Sequence, residues 1–150
     1  MIHIIGNFTL FIALALQLML VLSKLLSNEK FQSAYTWFVR IHLISTGMIF
    51  VSFFTLIYAF ISHQYQIVTV YQNSENSMST IELMVATWAG REGVLLLWAT
   101  LASIFTSFLL FQFKDNLDNP VTDRSLSIQL LMNFLITAFN LAGGSTPFTT

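Results

Sequence analysis

Cysteine is absent from the 150 residues. That excludes a disulfide framework, a thiolate metal site, a CxxCH haem-attachment motif and a Cys nucleophile, and it leaves the redox compartment unreadable. Charge is also scarce, at 9% against about 25% in ordinary soluble domains. No basic run is present to hold nucleic acid. The chain likewise lacks a Ser/His/Asp set, an HExxH motif, a Gly-rich phosphate loop and an intramembrane carboxylate pair, so no catalytic residue and no metal ligand is assigned.

Apolar residues fill the space these leave. They make up 55% of the chain, and the mean hydropathy is +0.73. A bilayer core about 30 Å thick needs roughly 20 apolar residues as helix. Four windows meet or approach that length: Ile4–Leu22, Ile41–Ile61, Val94–Phe113 and Ser125–Ala142. None alternates like a strand, and backbone in lipid must bond within its own segment, so helices are expected. The fold class is an all-α integral membrane protein, residues 1–150 forming a single membrane domain of four transmembrane helices. The first window lacks a basic n-region and a small-residue cleavage site, so it reads as a retained span.

Lys and Arg set the expected orientation. Lys24, Lys30 and Arg40 lie in or beside the first loop and Lys114 and Arg124 in the third, against Arg91 alone in the second. Both short loops are therefore placed in the cytoplasm. Both termini and residues 62–93 are placed on the other side. The third loop, KDNLDNPVTDR, has the Asn-Pro chemistry of a tight connection.

The second loop carries internal structure. Residues 73–77 read as a polar turn. Ser79 and Glu82 match a capping box, each side chain accepting from the other's backbone N–H. Met78, Ile81, Val85 and Trp88 then recur at helical spacing, so a short interfacial helix is expected over about 79–90, with Trp88 at headgroup depth. Gly90 and Gly93 end it, and Glu92 falls where the positive end of the third span's dipole favours a carboxylate.

At these residues the chain resembles the CcmF-type cytochrome c haem lyase subunits and the related NrfE-type proteins. The likeness rests on IGNF (Ile5 to Phe8), on Tyr71-x-Asn73-Ser74, on ATWAGREGVLLLW (Ala86 to Trp98) and on STPF (Ser145 to Phe148). The family pattern in the middle is close to A-x-W-G-x-H-E-G-S-L-L-L-W. Arg91 stands where the family has His, and Val94 where it has Ser. An always-charged Arg91 is no axial haem ligand, whereas Glu92 and Gly93 keep the pattern. The family protein is several times longer, and its Trp-rich haem-binding loop and haem-liganding histidines have no counterpart here.

The resemblance implies the N-terminal module of a split or truncated membrane haem lyase. Such a module handles haem and assists its attachment to apocytochrome c at the outer face, without being catalytically complete. It implies haem as cofactor in the assembled complex, with ligands on other chains. The implied partners are the rest of the lyase, other cytochrome c maturation subunits, apocytochrome c and the lipid bilayer. The implied location is a bacterial or mitochondrial inner membrane, with both termini periplasmic or in the intermembrane space.

Trp88, Arg91, Glu92 and Trp98 are the candidate outer haem-site or docking residues, with Tyr71 and Asn73 behind them. Arg91 suits bidentate carboxylate recognition, and the tryptophans suit a flat macrocycle. Interfacial anchoring, dipole capping and an aromatic belt explain the same residue types. His42 reads as structural, because His3 and His63 fall on the opposite side. Gln17, Gln129, Asn133 and Asn140 are expected to hydrogen-bond between helices, at about 1 kcal/mol each. Two other functions fit the sequence: a non-catalytic structural subunit docked through its polar fourth span, or a small-solute transporter.

Overall fold

The computed structural model describes every residue except 27–30, 118 and 143–145, together with the side chains of 31–33. Lys30, Ser145 and part of the third loop therefore lie outside the described residues. Six helices follow in order: α1 (Ile2–Leu26), α2 (Phe31–Ile61), α3 (Val68–Asn73), α4 (Thr80–Ala86), α5 (Arg91–Gln112) and α6 (Pro120–Ala142). No strand occurs among the described residues. Helices α1, α2, α5 and α6 are long and apolar enough to cross a membrane. The protein is all-α, and a membrane protein by length and composition.

Each helix outruns the apolar window that announces it. Helix α2 has 31 residues, or about 46 Å at about 1.5 Å per residue, well beyond a bilayer core of about 30 Å. Its first turns, with exposed Arg40, are amphipathic and escape a hydropathy window. Helix α6 begins at Pro120, the position where a missing N–H costs nothing. The Asn119 side chain caps it by accepting from Val121 N–H at 2.9 Å. That local chemistry makes the tight third connection.

The four long helices pack in a closed ring: α1 on α2, α2 on α5, α5 on α6, and α6 back on α1. Their buried residues recur at alternating steps of three and four. On α1 these are Leu10, Ala13, Gln17 and Leu20. On α6 they are Leu126, Leu130, Asn133, Thr137 and Asn140. This is the seam of knobs-into-holes bundles. The opposite faces carry exposed Phe8, Phe11, Phe54, Phe105, Phe108 and Phe139, as a lipid-facing surface should.

Both termini and the helices α3 and α4 gather at one end of the bundle. Gly6 lies under the ring of Phe148, which a Cβ at that position would overlap. The Val68 amide donates to Thr149 O at 2.8 Å, tying the C-terminal segment to α3. At the other end Lys24 of α1 pairs with Asp123 of α6 at 2.7 Å. Replacing Gly6 with Ala forces the buried Phe148 ring aside, an overpacking cost of about 1–3 kcal/mol. Gly47 has open space around its Cα, so Gly47→Ala should be neutral or mildly stabilising through helix propensity. Thermal unfolding of the two variants in detergent micelles checks the contrast.

Candidate functional site

The 62–93 connection is built by short elements that the bundle end holds in place. Ser62 and His63 close α2, and His63 adopts a left-handed conformation (φ 51°). Its Nδ1 lies 3.0 Å from Tyr65 Oη, and Tyr65 donates in turn to Asn76 Oδ1 at 2.7 Å. Because the one phenolic proton goes to Asn76, His63 Nδ1–H must be the donor to Tyr65. Helix α3 follows, with Thr69 and Val70 buried. It occupies residues where no such element is expected from the sequence.

The capping box at Ser79 is present as expected. Ser79 N–H donates to Glu82 Oε2 at 2.6 Å, and Glu82 N–H donates to Ser79 Oγ at 3.4 Å. Helix α4 ends at Ala86, short of Gly90, because Thr87, Trp88 and Ala89 close tight turns onto Met84, Val85 and Ala86. The buried face of α4 is Leu83 and Ala86. The apolar stripe read from the sequence lies on the other side of α4, with Ile81 75% and Val85 53% exposed.

Glycines let the chain double back into α5. A Cβ on Gly93 would run into the carbonyl of Thr87, and one on Gly90 would come within 3.0 Å of Asn73 Nδ2. Asn73 itself donates to Thr69 O at 2.8 Å. Gly90 caps α5, and Glu92 sits in its first turn, where the helix dipole favours a carboxylate. Arg91 Nη2 lies 2.8 Å from Glu92 Oε1, with the Arg91 side chain 63% exposed and that of Glu92 18%.

The structure thus brings Arg91 and Glu92 together and fixes Asn73 against the loop. It leaves the aromatic candidates apart. Tyr71 on α3 and Trp98 on α5 are exposed, Trp88 is half-buried in the turn, and no ring contact joins them among the described residues. Among those residues no cluster of His, Asp and Glu is arranged to hold a metal ion. His63, Tyr65 and Asn76 were absent from the sequence-based set, since three polar residues in an irregular turn carry no periodic signal.

Glu82 adds a pH-sensitive joint. Its hydrogen bond from the Ser79 backbone, then that with the Ser79 side chain, holds its carboxyl below the usual carboxylate value. A depressed folded-state pKa contributes stability that is present above the unfolded value, about 4.3, and is lost as pH falls through the lower folded value. Protection of the Ser79 amide from hydrogen exchange, referenced to an unstructured amide at the same pH, should persist at neutral pH and fall below that range. Glu82→Gln should flatten the profile.

Comparison with known proteins gives three curated relatives. The chain is 28% identical over 144 residues, 95% of its length, to cytochrome c-type biogenesis protein ccl1 of Rhodobacter capsulatus. It is 28% identical over 152 aligned residues to cytochrome c-type biogenesis protein CcmF of Haemophilus influenzae, covering 99% of this chain. It is 28% identical over 86 residues, 57% of this chain, to the probable cytochrome c-type biogenesis protein NrfE of Escherichia coli. The aligned regions are 22%, 23% and 15% of those proteins, so the chain spans under a quarter of the relatives it matches. No family model matches. No solved structure matches. The resemblance carried by the sequence motifs is borne out: nearly end to end, this chain is similar to one portion of the CcmF- and NrfE-type cytochrome c-type biogenesis proteins.

Proposed function

We propose that this chain serves cytochrome c-type biogenesis as the N-terminal module of a membrane haem lyase. It handles haem and assists attachment to apocytochrome c in company with the remaining lyase and other maturation subunits. The carrying observation is the likeness along 95–99% of the chain to two cytochrome c-type biogenesis proteins. The geometry supports the same reading. Each motif behind the resemblance sits at the end of the bundle that carries α3 and α4: Gly6 under Phe148, Asn73 beside Gly90, Gly93 on Thr87.

In this reading the Arg91–Glu92 pair and Trp88, with Trp98 and Tyr71 around them, form the surface offered to haem propionates or to partner carboxylates. Haem ligation in this reading falls to other chains of the assembled complex, and Arg91, whose guanidinium cannot coordinate iron, takes no part in it. The α3–α4 end faces away from the cytoplasm, with both termini, in a bacterial or mitochondrial inner membrane. The Lys24 and Arg124 end faces in, in keeping with the basic-residue bias.

The structural-subunit alternative drew on Asn133 and Asn140 as polar residues seeking partners through lipid. Both are 1% exposed, and Asn133 Nδ2 donates to Thr106 Oγ1 at 2.6 Å inside the bundle. They are not a lipid-facing docking stripe. The transporter alternative lacks a charged residue at mid-span depth, where ion pathways are marked.

Replacing Trp88 and Glu92 together with Ala should lower cytochrome c maturation severalfold while the protein persists in the membrane at its normal level. Haem staining of c-type cytochromes, alongside immunoblotting of the variant, checks this. Undiminished maturation would remove the proposed role. Impermeant labelling that placed residues 71–93 on the same side as Lys114 would remove the orientation.

A further inference from the structure

The apolar core is interrupted. One buried cluster, with Leu10, Ile49, Leu56, Phe60 and Leu96, fills the α3–α4 end. A second, with Leu20, Phe38, Leu110, Leu126 and Leu130, fills the other. Between them every long helix supplies polar side chains, which cross-helix bonds place at one level. Ser45 Oγ donates to Ala13 O and Ser52 Oγ to Gly6 O, an antiparallel register that sets Gln17 of α1 level with His42 of α2. His42 Nε2 reaches Ser103 O at 3.2 Å and Ser107 Oγ at 3.1 Å on α5. One helical turn along, Thr106 accepts from Asn133 of α6. Lys24 against Asp123 sets the α1–α6 register, which brings Gln17 level with Leu130, one turn from Asn133.

We propose that this layer is a binding site for water enclosed within the bundle, centred on Gln17, His42, Ser103 and Asn133. All four are at least 98% buried. Gln17 Oε1 and Nε2, His42 Nδ1, Ser103 Oγ and Asn133 Oδ1 have no hydrogen-bond partner in the protein. A buried carboxamide or ring nitrogen left bare is costly, so the layer demands a ligand. The tautomer narrows its chemistry. Nε2 faces a carbonyl, so it carries the proton, and Nδ1 is a bare acceptor that needs a donor. Gln17 Nε2–H needs an acceptor. A ligand here must both donate and accept. It must also be neutral, because no charged side chain stands in the layer to balance an ion in so apolar a setting. Water meets each condition, and buried water typically makes about three such bonds.

The test is solid-state NMR of the full chain in lipid bilayers, reading magnetisation transferred from water to side chains. Transfer to the His42 ring and the Gln17 carboxamide is expected to build up severalfold faster than to the buried side chains of Ile49 and Leu56. Build-up at His42 no faster than at Ile49 would overturn the proposal. Ser103→Ala, a mild change that leaves the helix seam intact, is expected to slow transfer to His42 severalfold with Leu56 unchanged. Gln17→Leu should do the same, and His42 transfer unaltered in both variants would equally overturn it.

Discussion

The bundle depends on lipid as its solvent. Hydrocarbon offers no hydrogen bond, so a polar group on a spanning helix must find its partner inside the protein. That turns the usual arrangement around. Phe8, Phe11, Phe54, Phe105, Phe108 and Phe139 face out, while the seams between helices hold serine, threonine, asparagine, glutamine and histidine among their leucines. Many hydroxyls bond their own helix: Thr46 to His42 O at 2.9 Å, Thr100 to Leu96 O at 2.8 Å, Thr106 to Ala102 O at 2.8 Å. Those bonds satisfy the hydroxyl without tying one helix to the next. Cohesion comes instead from the cross-helix set, Ser45 to Ala13, His42 to α5 and Asn133 to Thr106, each worth of the order of 1 kcal/mol in a membrane.

Small residues do the remaining work at the ends. Gly6, Gly90 and Gly93 all sit where another chain segment passes within contact distance of the Cα. The motifs that carry the likeness to cytochrome c-type biogenesis proteins are therefore, in large part, packing devices. They seat Phe148 on α1, the Asn73 amide on the α4–α5 turn, and the start of α5 on Thr87. A shared motif of this kind speaks first for a shared fold at that end of the membrane. In the function proposed above, the chemistry of that face falls to the side chains packing leaves outward, Arg91, Trp98 and Tyr71, with the partly buried Glu92 and Trp88 beside them.

How much of this was legible in the sequence follows from which signals are local. Four spans were readable because hydropathy accumulates over twenty residues. The Ser79–Glu82 box was readable because both partners lie within one turn. Helix α3 was not, because Val68–Asn73 holds only six residues and is set by packing and by the Thr149 carbonyl from the far end of the chain. The stripe of Ile81 and Val85 was legible as a stripe, but periodicity alone does not tell protein from lipid, and both residues lie on the exposed side of α4. Short helix α4 then buries the smaller Leu83–Ala86 side.

The polar layer was the least readable feature, and the reason is geometric. Gln17, His42, Ser103 and Asn133 sit far apart in sequence and each looks like an isolated blemish in an apolar span. Only the register makes them neighbours, and register is fixed by bonds such as Ser52 to Gly6 and Lys24 to Asp123 that no single helix encodes. Shifting one helix by a single turn would drive Asn133 or His42 into the Leu-rich clusters on either side, stranding its polar atoms in hydrocarbon. The layer therefore penalises every other pairing of the four helices, much as a lone polar core residue fixes register in coiled coils. A core of leucine alone would pack at several registers with similar energy. Here the polar residues that look like a cost to the fold help to specify it.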